Sequence, residues 1–144
     1  MQLIRSFEHE NAALVGWGVR VMLLTAEGPE GATARRLAGL GGLVETSPEM
    51  FAALSALIDD PAGYGLFVVD CDAFGGLEAG HKAFAMLGDQ TARLPVILVS
   101  RTCPQQTFPD DRRAPTVLRA PLSAVSLRVG FEHALRDRLA VRMI

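Results

Sequence analysis

Asp70 closes an uninterrupted apolar run, Gly65-Leu66-Phe67-Val68-Val69-Asp70, and Ser100 closes a second, Leu94-Pro95-Val96-Ile97-Leu98-Val99-Ser100. Short β-rich apolar runs of this kind read as strands buried on both faces. In open parallel sheets the functional crevice lies outside the carboxyl ends of the strands. A carboxylate and a hydroxyl are therefore presented at the end of the sheet where chemistry would happen. Asp72 follows Asp70 by two residues and could share a weak cation site with it. Arg101 follows Ser100 and offers a guanidinium to Asp70 or to a phosphate. Glu27, close behind the first apolar run, reads as a helix N-terminal acid or a substitute metal ligand. Each has a plainer reading too, with Asp70 a strand-end acid paired with Arg101, Ser100 a loop-capping hydroxyl and Asp72 a turn acid.

The other reactive side chains assemble less. His81 and His133 have no carboxylate or cysteine at ligand spacing. Cys71 and Cys103 make neither a metal motif nor a disulfide framework. Cys71 reads as a small buried hydrophobe whose place beside Asp70 also suits redox sensing. Neither Gly75-Gly76 nor Gly39-Leu40-Gly41-Gly42 has a nucleotide-binding spacing, and no Ser/His/Asp or Cys/His constellation can be drawn.

The elements that must position these residues alternate. Val19-Arg20-Val21-Met22-Leu23-Leu24 predicts a strand, followed by a helix from Pro29-Glu30 that carries Ala34, Leu37, Ala38 and Leu40 and stops at Gly41-Gly42. A short strand at Leu43-Val44-Glu45 precedes a helix capped by Ser47, with apolar positions Met50, Phe51, Leu54, Leu57 and Ile58. After the Asp70 strand and the Gly75-Gly76 turn, a helix over residues 77–87 buries Leu77, Phe84 and His81. The Ser100 strand, a short strand Thr116-Val117-Leu118-Arg119 and a helix from Ser123 complete the chain. That last helix repeats Leu127, Phe131, Leu135 and Leu139, with Arg128, Arg136 and Arg142 outward. Between Arg101 and Pro115 three prolines leave room for at most one irregular turn. The order predicts a doubly wound α/β fold with helices on both faces of a parallel sheet.

The chain has 144 residues, 49% of them hydrophobic, enough for one globular domain with a real core. No stretch approaches the ~20 apolar residues of a membrane span, and the N-terminus lacks a signal-peptide layout. A cytoplasmic protein with free thiols is expected. Charge is lopsided: residues 1–92 carry five basic and twelve acidic side chains, a net of −7, and residues 93–144 carry nine arginines and four acids, a net of +5. Without aromatic interleaving or a recognition motif, the arginines read as solvated surface and protein contacts rather than a nucleic-acid face.

Over residues 19–141 this pattern resembles the receiver domain of bacterial two-component response regulators (CheY-like). Three matches carry it: Asp70 at the phosphoacceptor position, Ser100 at the position of the hydroxyl that contacts the phosphoryl group, and Pro121 after the fifth strand. The resemblance implies a flavodoxin-like, five-stranded parallel sheet of order 2-1-3-4-5, here with the helix between strands 4 and 5 reduced. The chain also departs from the family. The first strand ends in Thr25-Ala26 where an acidic pair would hold Mg²⁺, Ala120 replaces the lysine, Val117 replaces the switch aromatic, and Arg101 replaces a small residue. The loop after Asp70 is also shorter and lacks its proline. Phosphoryl transfer needs the charge developing on the equatorial oxygens neutralised, and Asp70, Asp72 and Glu27 are a weak ligand set for Mg²⁺.

These readings combine in one expectation: an N-terminal extension (1–18) and a single receiver-like domain (19–144) without an output domain, not an enzyme, with no cofactor. It acts by contact with a protein partner (a sensor kinase, regulator or other signalling protein), or as a homodimer, largely independently of phosphorylation and without direct nucleic-acid or membrane binding. Arg112, Arg113, Arg128 and Arg136 mark the expected partner surface. Residues 1–18 carry a partial apolar stripe, Leu3, Ile4, Phe7, Leu14 and Val15 with Trp17, suited to docking. Two alternatives stay open: a receiver phosphorylated on Asp70, and a flavodoxin-like enzyme or small-ligand binder using the crevice around Thr25, Asp70 and Ser100.

Overall fold

Five parallel strands and the helices packed on them make up a computed structural model that describes residues 18–111 and 113–136. The strands are β1 (Arg20–Leu24), β2 (Leu43–Ser47), β3 (Leu66–Asp70), β4 (Val96–Ser100) and β5 (Thr116–Arg119), in the order β2-β1-β3-β4-β5. The helices are α1 (Ala32–Gly39), α2 (Met50–Asp59), α3 (Leu77–Leu87) and α4 (Ala124–Ala134). Strand order reverses between β1 and β3, so the crevice of a doubly wound sheet opens beside Asp70.

The two-residue period of the strands divides the core in two. Met22, Leu24, Phe67, Val69 and Leu98 pack against Leu54 and Leu57 of α2 and Ala83 and Leu87 of α3. Val21, Leu23, Val68, Ile97 and Leu118 pack against Leu37 of α1 and Leu127 and Phe131 of α4. Each fully buried Leu, Ile or Phe contributes roughly 1.5–3 kcal/mol of burial free energy. Helix α3 lies unusually close to the sheet. A Cβ at Gly80 would stand 2.4 Å from Cys71 Sγ and 3.2 Å from a Leu98 methyl, so only glycine lets the helix settle there.

Local details differ from the expectation. Pro29 and Glu30 form a separate 3-10 turn (Gly28–Glu30), and α1 begins only at Ala32. β2 runs on to Ser47, and the cap of α2 is Glu49, whose carboxylate accepts from the Phe51 and Ala52 amides at 3.0 and 2.6 Å. Ala53 takes the inward position expected for Phe51, leaving Phe51 62% and Ile58 47% exposed. His81 is exposed, because Gly80 and Ala83 are the residues of α3 that face the sheet. Leu139, Arg142, Arg112 and the stripe over residues 1–17 lie outside the described residues.

Among the described residues of the 101–115 segment none is helical. The loop instead pairs back on the sheet edge, with Thr107 and Val117 exchanging backbone hydrogen bonds of 2.9 and 3.0 Å in an antiparallel bridge. This covers part of the edge that β5 would otherwise leave open. The Arg119 guanidinium donates to the Cys103 and Pro104 carbonyls at 3.1 and 2.7 Å. Gln106 Oε1 accepts from the Arg119 amide and from the Ser126 hydroxyl. Just past α4, Arg136 donates to the Asp110 carbonyl at 2.6 Å, and the Phe108 and His133 rings meet edge to face.

Candidate functional site at the carboxyl ends of the strands

Asp70 stands half-buried at the end of β3, where the first turn of α1 reaches across β1 toward it. The Thr33 hydroxyl donates to Asp70 Oδ1 over a long 3.5 Å. Burial pushes the Asp70 carboxyl above the ordinary carboxylate range; the Thr25 hydroxyl pulls it back, Glu27 pushes it up again, and Thr33 and Asp72 add smaller effects in opposite directions. Among the described residues Asp70 has no ion pair, so the expected Arg101 counter-ion is not in place. Arg101 is exposed, and it is its backbone amide that is engaged.

Asp72 takes that amide. It follows Asp70 in a 3-10 turn (Cys71–Phe74) that ends at Gly75, in the left-handed region with φ 116°. Its Oδ1 accepts from the wholly buried Ser100 hydroxyl at 2.6 Å and its Oδ2 from the Arg101 amide at 2.8 Å. The Ser100 bond holds the Asp72 carboxyl below its usual range, against a smaller opposing effect of desolvation, and the amide and charge of Arg101 add to the lowering. Thr102 completes the knot, its amide donating to Ser100 Oγ at 3.2 Å and its hydroxyl lying 2.9 Å away. Between these two acids, Cys71 is fully buried and its thiol is pushed up to about 11, which keeps it protonated at neutral pH.

Asp70 and Asp72 line a crevice of about 470 Å³, with Thr25, Glu27, Arg36, Arg101 and Ala120 along its walls. The sheet thus brings Thr25, Glu27, Asp70, Asp72, Ser100 and Arg101 to one place. Arg113, Arg128 and Arg136 lie elsewhere. Arg113 is exposed in the loop, Arg128 pairs with Glu132 at 3.1 Å, and Arg136 is turned onto loop carbonyls. Thr33 and Arg36 belong to the crevice and were not among the expected residues. Their signal was present, since they occupy the first turns of the helix that follows β1. Arg36 also donates to the Leu122 carbonyl beyond β5.

The donor set does not fit Mg²⁺. Each Asp72 oxygen already accepts a hydrogen bond, the β1 end offers Thr25 and Ala26, and among the described residues no three His, Cys, Asp or Glu side chains cluster as a metal site. Ala120, the first residue past β5, brings no charge to the crevice wall, and the Ala120–Pro121 bond is cis.

The strand order is that of a response-regulator receiver fold. Solved structures carry the same fold. A response regulator receiver protein from Burkholderia phymatum superposes with a TM-score of 0.60 at 19% identity, over 82% of this chain and 95% of that one. A response regulator receiver domain protein from Bacillus halodurans gives 0.56 at 17% identity, over 81% and 96%. No family model and no curated protein matches the sequence. Among the described residues no helix is long and apolar enough to cross a membrane.

Proposed function

We propose that this chain is a receiver-like module of two-component-type signalling that works by contact with a protein partner, without phosphorylation of Asp70. One observation carries the reading: the Ser100 hydroxyl, which in the resemblance would meet the phosphoryl group, is bound to Asp72. The missing charge partners support it, because Thr25, Ala26 and Ala120 stand where two carboxylates and a lysine would neutralise a transferring phosphoryl group. Losing even one preorganised electrostatic contact typically costs about 3–4 kcal/mol of transition-state stabilisation. With no phosphate to bias it, the module presents one surface constantly.

That surface is the face of β5, α4 and the 101–115 loop. Arg113 and Arg128 offer charge to an acidic partner, while Arg136 fixes the loop beside them. Exposed Val125 and Val129 lie on the same helix. A rival reading, Asp70 as acceptor, draws on Arg36 and Arg101 lining the crevice as replacement cations. Incubation with acetyl phosphate and Mg²⁺ followed by intact-mass measurement separates them. The proposal expects no added phosphoryl mass, and a phosphorylated species absent from Asp70→Asn would establish the rival.

A further inference from the structure

A parallel crossover such as that from β4 to β5 ordinarily carries a helix that covers the sheet. Here none of its described residues is helical, and a groove of about 1110 Å³ opens between α3 and the 101–115 loop. Half-buried Phe84 and exposed Ala85 form its apolar side. Asp89, Asp110 and Asp111 bring three carboxylates to it, against the guanidinium of Arg113 among the described lining residues. Such a groove suits a segment that is apolar on one side and positively charged on the other.

The chain itself delivers one. Helix α4 ends at Ala134, and Arg136 donates to the Pro109 and Asp110 carbonyls at 3.4 and 2.6 Å, so the chain leaves the helix beside the loop acids. A smaller cleft at that point is lined by Ala134, Arg136 and Asp111, and Asp111 also lines the groove. After Asp137 the sequence runs Arg138-Leu139-Ala140-Val141-Arg142-Met143-Ile144, with no further acid. Leu139, Val141 and Met143 alternate with Arg138, Ala140 and Arg142, so in an extended segment the large apolar side chains face one way and the arginines the other. Extended, residues 137–144 reach about 26 Å, well beyond the roughly 10–12 Å width of the helix that a crossover would have placed there.

We propose that residues 138–144 dock in the groove between α3 and the 101–115 loop, with Arg138 and Arg142 toward its three carboxylates and Leu139, Val141 and Met143 over Phe84 and Ala85. The segment takes the place of the crossover helix and closes that face, whether or not Asp70 accepts phosphate.

The test is a nitroxide attached to Ile144→Cys in the full chain, where Cys71 and Cys103 are buried and escape labelling. The amide NMR peaks of Gly88, Asp89 and Asp111 should lose most of their intensity, while those of Gly28 and Asp72, at the other end of the sheet, keep theirs. Arg138→Glu/Arg142→Glu in the same labelled chain should restore the groove peaks. Added salt should restore them without any charge reversal, because the three carboxylates are exposed. Groove peaks that keep their intensity overturn the proposal, and so does broadening that neither charge reversal nor salt relieves. Broadening that arises only when spin-labelled and isotope-enriched chains are mixed also overturns it, and seats a second copy in the groove.

Discussion

Removing the Asp72 carboxylate should loosen the crevice measurably, and its size can be worked from two hydrogen bonds. The bond from Ser100 is short, 2.6 Å, and its acceptor is charged. Such bonds contribute roughly 1.5–3 kcal/mol. Two features move the expected value toward the lower end. Asp72 is exposed, so its charge is screened, and a freed Ser100 hydroxyl can turn to Thr102, 2.9 Å away. Water replaces the Asp72 acceptor at the Arg101 amide, which adds only about 0.5 kcal/mol. Asp72→Ala should therefore destabilise the fold by about 1.5–2 kcal/mol, or roughly 5 °C in Tm for a domain of this size. Urea unfolding of Asp72→Ala, Ser100→Ala and the double variant should give a coupling energy of about 1–2 kcal/mol.

The same bond sets a pH signature. The Asp72 carboxyl lies below its ordinary value in the folded chain, so its contribution is fully present above the unfolded carboxylate range, about pH 4. It is lost as pH falls through the lower native value. The stability gap between wild type and Asp72→Ala should therefore hold at neutral pH and close in acid. A gap near zero at pH 7, a coupling within about 0.3 kcal/mol of zero, or a gap indifferent to acid would refute the reasoning.

Asp70 should behave oppositely. Burial raises its carboxyl, so the folded chain holds the proton more tightly than the unfolded one, and stability from this group falls as pH rises through its native value. Asp70→Asn should thus raise Tm at neutral pH, and a loss there would contradict the assignment. Gly80→Ala gains about 1 kcal/mol of helix propensity but forces a methyl within 2.4 Å of Cys71 Sγ, an overpacking cost of about 1–3 kcal/mol. The net effect in urea unfolding should be destabilising and should be relieved by Cys71→Ala. Arg119→Ala removes the guanidinium that holds the Cys103 and Pro104 carbonyls, so hydrogen exchange at the bridged Thr107 amide should quicken by roughly tenfold, equivalent to about 1.4 kcal/mol of local stability.

The sheet was legible because β1, β3 and β4 carry short, β-rich apolar runs, the pattern of strands covered on both faces. The lack of a helix among the described residues of 101–115 was legible for the opposite reason, since three prolines leave room for at most an irregular turn. Boundaries were less so. Pro29-Glu30 looks like a helix start, yet the chain turns once more before Ala32, and Glu49 rather than Ser47 supplies the cap because Ser47 is still in β2. At the site, sequence brought Asp70 and Ser100 to one end of the sheet but could not say which acid Ser100 would bind. That choice depends on the 3-10 turn, which brings Asp72 to the end of β4 and leaves Asp70 beside Thr25 and Thr33. Arg101 misled for a related reason: the group that matters is its backbone amide, which every residue type carries.

The most direct test of phosphorylation independence is an amide NMR spectrum recorded in millimolar Mg²⁺ before and after adding beryllofluoride, with Asp70→Asn as control. The account predicts that resonances around Asp70, Ser100 and Ala120 stay where they are in both proteins. Saturable shifts at those residues in the wild-type chain, lost in Asp70→Asn, would contradict it and make Asp70 a working acceptor.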